Sequence, residues 1–161
     1  MFDFITFMYG KIDRFLARVM NASRLLRLRL LGATIGRGVK VYGRFIVHGD
    51  ARNLRIDDGS TINEGVLFDL RENITIGRGV RLSSYVQLRT SRLDTHHRSG
   101  QHSGAPIVLS DRVWLASGVV VSDGVTIGSG SVIGANSVVV SNIGSDTFAA
   151  GLPARPLKSL A

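Results

Sequence analysis

LSDRVWLASGVVVSDGVTIGSGSVIGANSVVV, residues 109–140, places an aliphatic residue at every sixth position: Leu109, Leu115, Val121, Ile127, Ile133 and Val139. Worked outward toward the N-terminus, the same beat falls on Ile35, Val41 and Val47, on Ile56, Ile62 and Phe68, and on Ile76, Leu82 and Leu88. The intervals are six except at 47→56, 68→76 and 88→109, where they are nine, eight and twenty-one. A fixed period of this kind must be read before local secondary structure, because it signals a stacked architecture.

Fifteen beats in five groups of three predict a three-sided column, with one side per hexad and one coil per three hexads. Four residues after each beat comes a second inward-sized residue, among them Phe45, Val66, Val86, Val119 and Val125, with Ser60, Ser131 and Ser137 in the same role. Three residues after the beat stands Gly in seven of fifteen hexads, and Asn136 and Asn142 in two more. Gly and Asn tolerate positive φ, so the chain is expected to turn once per hexad with a short strand between turns. If three hexads make a coil, the surplus residues all leave from one edge of the column. The largest surplus, residues 90–105, holds three of the four histidines. Such a long insertion in a strict repeat points to function. Five coils at about 4.8 Å per strand make a column on the order of 24 Å.

The 161 residues suit one domain with a real core. With no Cys, disulfides, thiolate metal sites and a cysteine nucleophile are excluded. A net charge of +8, nearly all of it arginine, favours anionic partners such as a phosphorylated, nucleotide-linked or membrane-bound glycan. The arginines are scattered and few aromatics interleave them, so nucleic acid is not expected as a partner. Residues 1–32 form a separate N-terminal segment, with Phe4, Phe7, Met8, Ile12, Phe15, Leu16, Val19 and Met20 at helical spacing beside Lys11, Arg14, Arg18, Arg24, Arg27 and Arg29. Two readings of this amphipathic helix stand: packing against the domain or a sister subunit, or peripheral docking of residues 1–31 on an anionic membrane. No run of signal or spanning length is present in it, so a cytoplasmic protein is expected, with the inner membrane face as a variant. The column itself is expected over 33–143, followed by a tail at 144–161.

The second half carries the most specific signal. Ala105-Pro106-Ile107-Val108-Leu109 leads into Asp111-Arg112-Val113-Trp114-Leu115-Ala116-Ser117-Gly118, then Gly124-Val125-Thr126-Ile127-Gly128, Val132-Ile133-Gly134-Ala135-Asn136-Ser137-Val138-Val139 and Ala150-Gly151-Leu152-Pro153-Ala154-Arg155. This ordered set resembles the hexapeptide-repeat acyltransferases, in particular the sugar and polysaccharide O-acetyltransferases. The resemblance implies a mainly β fold, a left-handed parallel β-helix of about five triangular coils with an N-terminal amphipathic helix. It further implies acetyl-CoA as donor, a homotrimer with the CoA arm between neighbouring columns, a sugar or glycan acceptor and no metal. Carried over residue by residue, Trp114, Ala116, Ser117, Gly134 and Ala135 would line the CoA groove, with Pro153-Ala154 closing its far end. Arg155 and Lys158 would meet CoA phosphates.

Acyl transfer needs a base for the acceptor hydroxyl, and histidine suits that near neutrality. The insertion offers His96, His97 and His102, with Asp94 to fix a tautomer. By resemblance, Ser117 supplies an oxyanion donor through its backbone N–H or hydroxyl. Here the chain departs from the family: an ungapped count from Pro106 puts Leu93 at the position of the family's catalytic His. A short gap brings His96 into that role, with His97 next; a catalytically inactive scaffold is the other outcome. Asp69, in "FDLRENITIG", and His102 are candidates to hold the acceptor, and His48 lies near the same edge. A different chemistry, that of γ-class carbonic anhydrases on the same column, would use His97, His102 and His48 on zinc. Oxygen and nitrogen acceptors both stay open.

Overall fold

The computed structural model describes residues 20–93 and 102–161. The beats sort onto three parallel sheets as the period requires. The first face stacks β1 (Thr34–Ile35), β4 (Leu54–Ile56), β7 (Ile74–Ile76), β12 (Ile107–Leu109) and β15 (Thr126–Ile127). The second stacks β2 (Lys40–Val41), β5 (Thr61–Ile62), β8 (Arg81–Leu82), β13 (Trp114–Leu115) and β16 (Val132–Ile133). The third stacks β3 (Phe45–Gly49), β6 (Val66–Leu70), β9 (Gln87–Arg89), β14 (Val120–Val121) and β17 (Val138–Val139). Registers align beat on beat: Ile35, Ile56, Ile76, Leu109 and Ile127 form one inward ladder, and Val47, Phe68, Leu88, Val121 and Val139 another. The result is a three-sided parallel β-solenoid of five coils.

The ladders meet in one apolar core that runs the length of the column. Its polar members are satisfied by the rungs themselves. Ser60 donates its hydroxyl to Gly77 O (2.8 Å) and accepts from Val80 N (3.1 Å). Ser131 donates to Gly144 O (2.6 Å) and accepts from Thr147 N (3.1 Å). Each such serine closes a turn where aliphatic neighbours cannot. Ser60→Ala is expected to leave the buried Val80 N–H without its partner and cost about 1–3 kcal/mol. The urea midpoint of the variant checks this, and no change would deny the hydroxyl that role.

The corners explain the glycine pattern. The third residue after the beat takes positive φ at Gly65 (72°), Gly118 (72°) and Asn136 (56°), but also at Tyr85 (61°) and Arg112 (57°). A left-handed corner therefore does not require Gly, although Gly makes it easier. Asn142 departs from expectation: it is absent from the positive-φ residues, and its side chain accepts from Thr126 N (2.8 Å) instead. The first Gly of each "IGxG" serves close stacking. A Cβ on Gly77 would sit 2.7 Å from Asp111 Oδ1 and 2.8 Å from Asp111 N. The same Asp111 accepts from Arg78 N (2.8 Å) and pairs with its guanidinium (2.8 Å), and these bonds hold its carboxyl below the usual carboxylate range.

A helix over residues 20–30 closes the first coil. Leu25 and Leu28 are buried, and Asn21 Nδ2 donates to Val41 O (2.9 Å), which ties the helix to the open rung. At the other end, β18 (Thr147–Gly151) extends the second face beside β16. It then folds back antiparallel as β19 (Ala154–Ser159). This hairpin was legible only as a tail; it supplies a capping edge of the kind stacked repeats need. No helix among the described residues is long and apolar enough to cross a membrane.

Candidate active site

All three insertions leave after third-face strands, at the edge between the third and first faces. The longest opens and closes as a two-stranded antiparallel ribbon, β10 (Ser91–Leu93) with β11 (His102–Gly104). Nothing in the spacing of this insertion predicts the ribbon. Its root is fastened to the rung above. Thr90, fully buried, donates to Asp69 O (2.6 Å) and accepts from Glu72 N (3.0 Å). Ala105 N donates back to Thr90 O (3.1 Å), closing the neck. Arg92 Nε lies 3.6 Å from Asp123 Oδ2 and steadies the ribbon against the next coil.

Asp69 is the pivot of this edge. It follows the beat Phe68, so it points out of the column, yet it is only 8% exposed. Ser91 donates to its Oδ2 at 2.5 Å, and Arg71 Nε lies 4.0 Å from its Oδ1. His48 and Arg89 stand on the rungs either side, in register with it. Together His48, Gly49, Leu67, Asp69, Arg71, Arg89 and Ser91 line an open cleft of about 570 Å³. Ser91, Arg71 and Arg89 were not singled out from sequence. The beat arithmetic held the signal for one of them: His48, Asp69 and Arg89 each directly follow a third-face beat. Asp94, His96 and His97 lie outside the described residues; His102 opens β11.

The residues assigned to the donor gather at a different edge, the corner between the second and third faces. Ala116, Ser117, Gly134 and Ala135 occupy it on consecutive rungs, joined by Ala116 N→Ile133 O (3.0 Å) and Asn136 N→Ser117 O (2.9 Å). Ser117 is exposed, and among the described residues neither its N–H nor its hydroxyl has an intramolecular partner. Trp114 projects from β13 at 43% exposure, its Nε1 donating to Ser83 Oγ (3.1 Å). Small side chains are required here: a Cβ on Gly134 would lie 2.9 Å from that of Ala150. Pro153 and Arg155 flank buried Ala154 at the turn of the β18–β19 hairpin, which continues the same surface.

The two half-sites are therefore separated by the width of the third face, roughly 16 Å for five residues at about 3.3 Å each. One chain presents small residues and a backbone N–H with no partner among the described residues at one corner, and a polar cleft with the ribbon at the other. Among the described residues no three His, Asp or Glu side chains converge to hold a metal.

Comparisons with known proteins agree with this architecture. Residues 106–141 match the family described as bacterial transferase hexapeptide (six repeats). A Dictyostelium discoideum protein named "Putative acetyltransferase" is 37% identical over 136 residues, covering 82% of this chain and 70% of that protein. A hexapeptide-repeat-containing acetyltransferase from Vibrio cholerae superimposes with a TM-score of 0.81 at 36% identity, covering 88% of this chain and 81% of the other. Its complex with acetyl coenzyme A gives 0.81 at 33%, over 87% and 78% of the two chains. A maltose O-acetyltransferase from Clostridium difficile 630 gives 0.81 at 31%, over 94% and 86%.

Proposed function

We infer the reaction from one premise: this chain belongs to the bacterial hexapeptide-repeat transferase family and is an acetyltransferase. We propose that its donor is acetyl-CoA and its acceptor a hydroxyl of a sugar or glycan. The observation that carries this is the Ser117 corner, where small residues and an unpaired backbone N–H line a surface continuous with the β18–β19 hairpin. The acetyl-CoA complex of the Vibrio protein and the maltose-acetylating activity named for the Clostridium protein support donor and acceptor class.

The chemistry follows from these groups. A base, His96, takes the acceptor hydroxyl proton as that oxygen attacks the thioester carbonyl. Charge developing on the carbonyl oxygen is met by the Ser117 N–H. The carbon–sulfur bond then breaks, CoA leaves as thiolate, and the imidazolium returns the proton to sulfur. His97 is the neighbouring alternative base, and Asp94 fixes the imidazole tautomer. Trp114, Ala116, Gly134, Ala135, Pro153 and Arg155 hold the CoA arm, while Asp69 and His102 hold the acceptor.

The separation of the two half-sites within one chain supports a homotrimer in which one column supplies the donor corner and its neighbour the ribbon. The protein is proposed to work in the cytoplasm. Exposed Leu26, Leu30 and Leu31 beside Arg27 support peripheral contact of the N-terminal helix with a membrane. The test is transfer of labelled acetyl from acetyl-CoA to a panel of free, nucleotide-linked and lipid-linked sugars. Acetyl ester formation on one class is expected; acetylation of amino sugars alone would overturn the hydroxyl acceptor, and no transfer to any member would overturn the reading.

A further inference from the structure

We propose that the acceptor carries an anionic group, a carboxylate or a phosphate, and that Arg71 and Arg89 read it. This rests on the acetyl-transfer reading and names the substrate class of the same site. The cleft at the third-face edge sits directly at the root of the ribbon, since Ser91, the first residue of β10, is part of its wall. Its volume, about 570 Å³, is in the range of small-molecule sites.

The charge on its walls is lopsided. Arg71 and Arg89 bring two permanent cations, and His48 adds a third nitrogen group on the first rung. The one opposing carboxylate, Asp69, is largely committed: it is 8% exposed, accepts from Ser91 and lies 4.0 Å from Arg71. Arg89 is exposed and, among the described residues, donates through Nε to the Gln87 amide oxygen (2.9 Å), with no carboxylate against it. That bond orients the guanidinium and leaves its terminal nitrogens to a ligand. A neutral sugar would not require two guanidinium groups, whereas a carboxylate or phosphate accepts the forked geometry arginine presents. Arg89 pairs in register with Asp69 on the next rung, and Arg71 lies two residues after Asp69, just past the end of β6, so both cations flank one carboxylate. The surplus of +8 on the whole chain would draw such an acceptor in.

The experiment compares three forms of one hexose as acceptors: glucose, glucuronate and glucose 6-phosphate. The expected result is a kcat/KM at least about tenfold higher for one or both charged forms than for glucose, carried mainly by KM and weakened by added salt. Arg89→Gln and Arg71→Gln should narrow that ratio about tenfold, with Arg89→Lys intermediate because it keeps charge but loses the fork. Equal kcat/KM for all three acceptors would overturn the inference while leaving acetyl transfer to sugars standing. So would variants whose chief effect is on KM for acetyl-CoA, since the cations would then serve the donor's phosphates. Calorimetric binding of glucuronate and glucose 6-phosphate is the readout independent of turnover. Binding weakened by Arg89→Gln supports the inference even where transfer fails, and absence of binding overturns it.

Discussion

Replacing His96 with Ala is expected to lower kcat for acetyl transfer about 10²- to 10⁴-fold, the usual contribution of a positioned general base. The expectation follows from three points. The reaction needs a proton acceptor at neutral pH, the chain has no Cys, and three of its four histidines fall in one insertion. That insertion begins at the ribbon whose neck is fastened by Thr90 and Asp69. His97→Ala serves as the comparison, expected to cost far less. Full activity in His96→Ala with loss in His97→Ala would move the role by one residue. Full activity in both would remove His96 and His97 from the chemistry.

Truncating Phe68 to Ala should produce the largest loss of stability, about 3–5 kcal/mol. Phe68 is fully buried on the central rungs of the third face, between Val47 and Leu88. Its ring meets Phe45 edge-on, with centroids 6.1 Å apart and planes at 79°. Removing it leaves a cavity that parallel rungs cannot collapse around, because each is hydrogen-bonded to the next. At about 2–4 °C per kcal/mol for a chain of this size, the melting temperature should fall by roughly 10 °C. Phe68→Leu should cost markedly less, since it keeps most of the volume. Because Asp69 is the next residue, activity in Phe68→Ala should fall along with stability, whereas an Asp69 variant would lose activity with its fold retained. Equal melting temperatures for Phe68→Ala and the parent chain would mean the core is not packed as described.

Much of the architecture was written in spacing. Fifteen beats assigned to three faces landed on those faces without exception, because the rung-to-rung register leaves each beat one place to go. The insertions after Val47, Phe68 and Leu88 likewise had to leave from one edge. Other features were not legible. Arg112 and Tyr85 adopt left-handed turns that their residue types disfavour, since the corner geometry overrides local preference. The β10–β11 ribbon breaks the hexad rule, and a Gly/Ser-rich stretch carries no strand signal of its own. The same holds for β18 and β19, whose pairing depends on the open edge of β16 beneath them. The winding sense and the donor-site roles came with family resemblance, as spacing alone is silent on both.

By itself, then, the amino-acid order determined the period, the number of coils and the edge from which the longest insertion departs, since an apolar residue at every sixth position is buried all along the chain when each hexad forms one side of a stacked column. Tertiary structure alone decided that Ser91 and Arg71 close a cleft around the aligned His48, Asp69 and Arg89, and that the Ser117 corner lies a full face away from it. Residues twenty or more apart along the chain become neighbours only when rungs stack about 4.8 Å apart, and no local pattern records that contact.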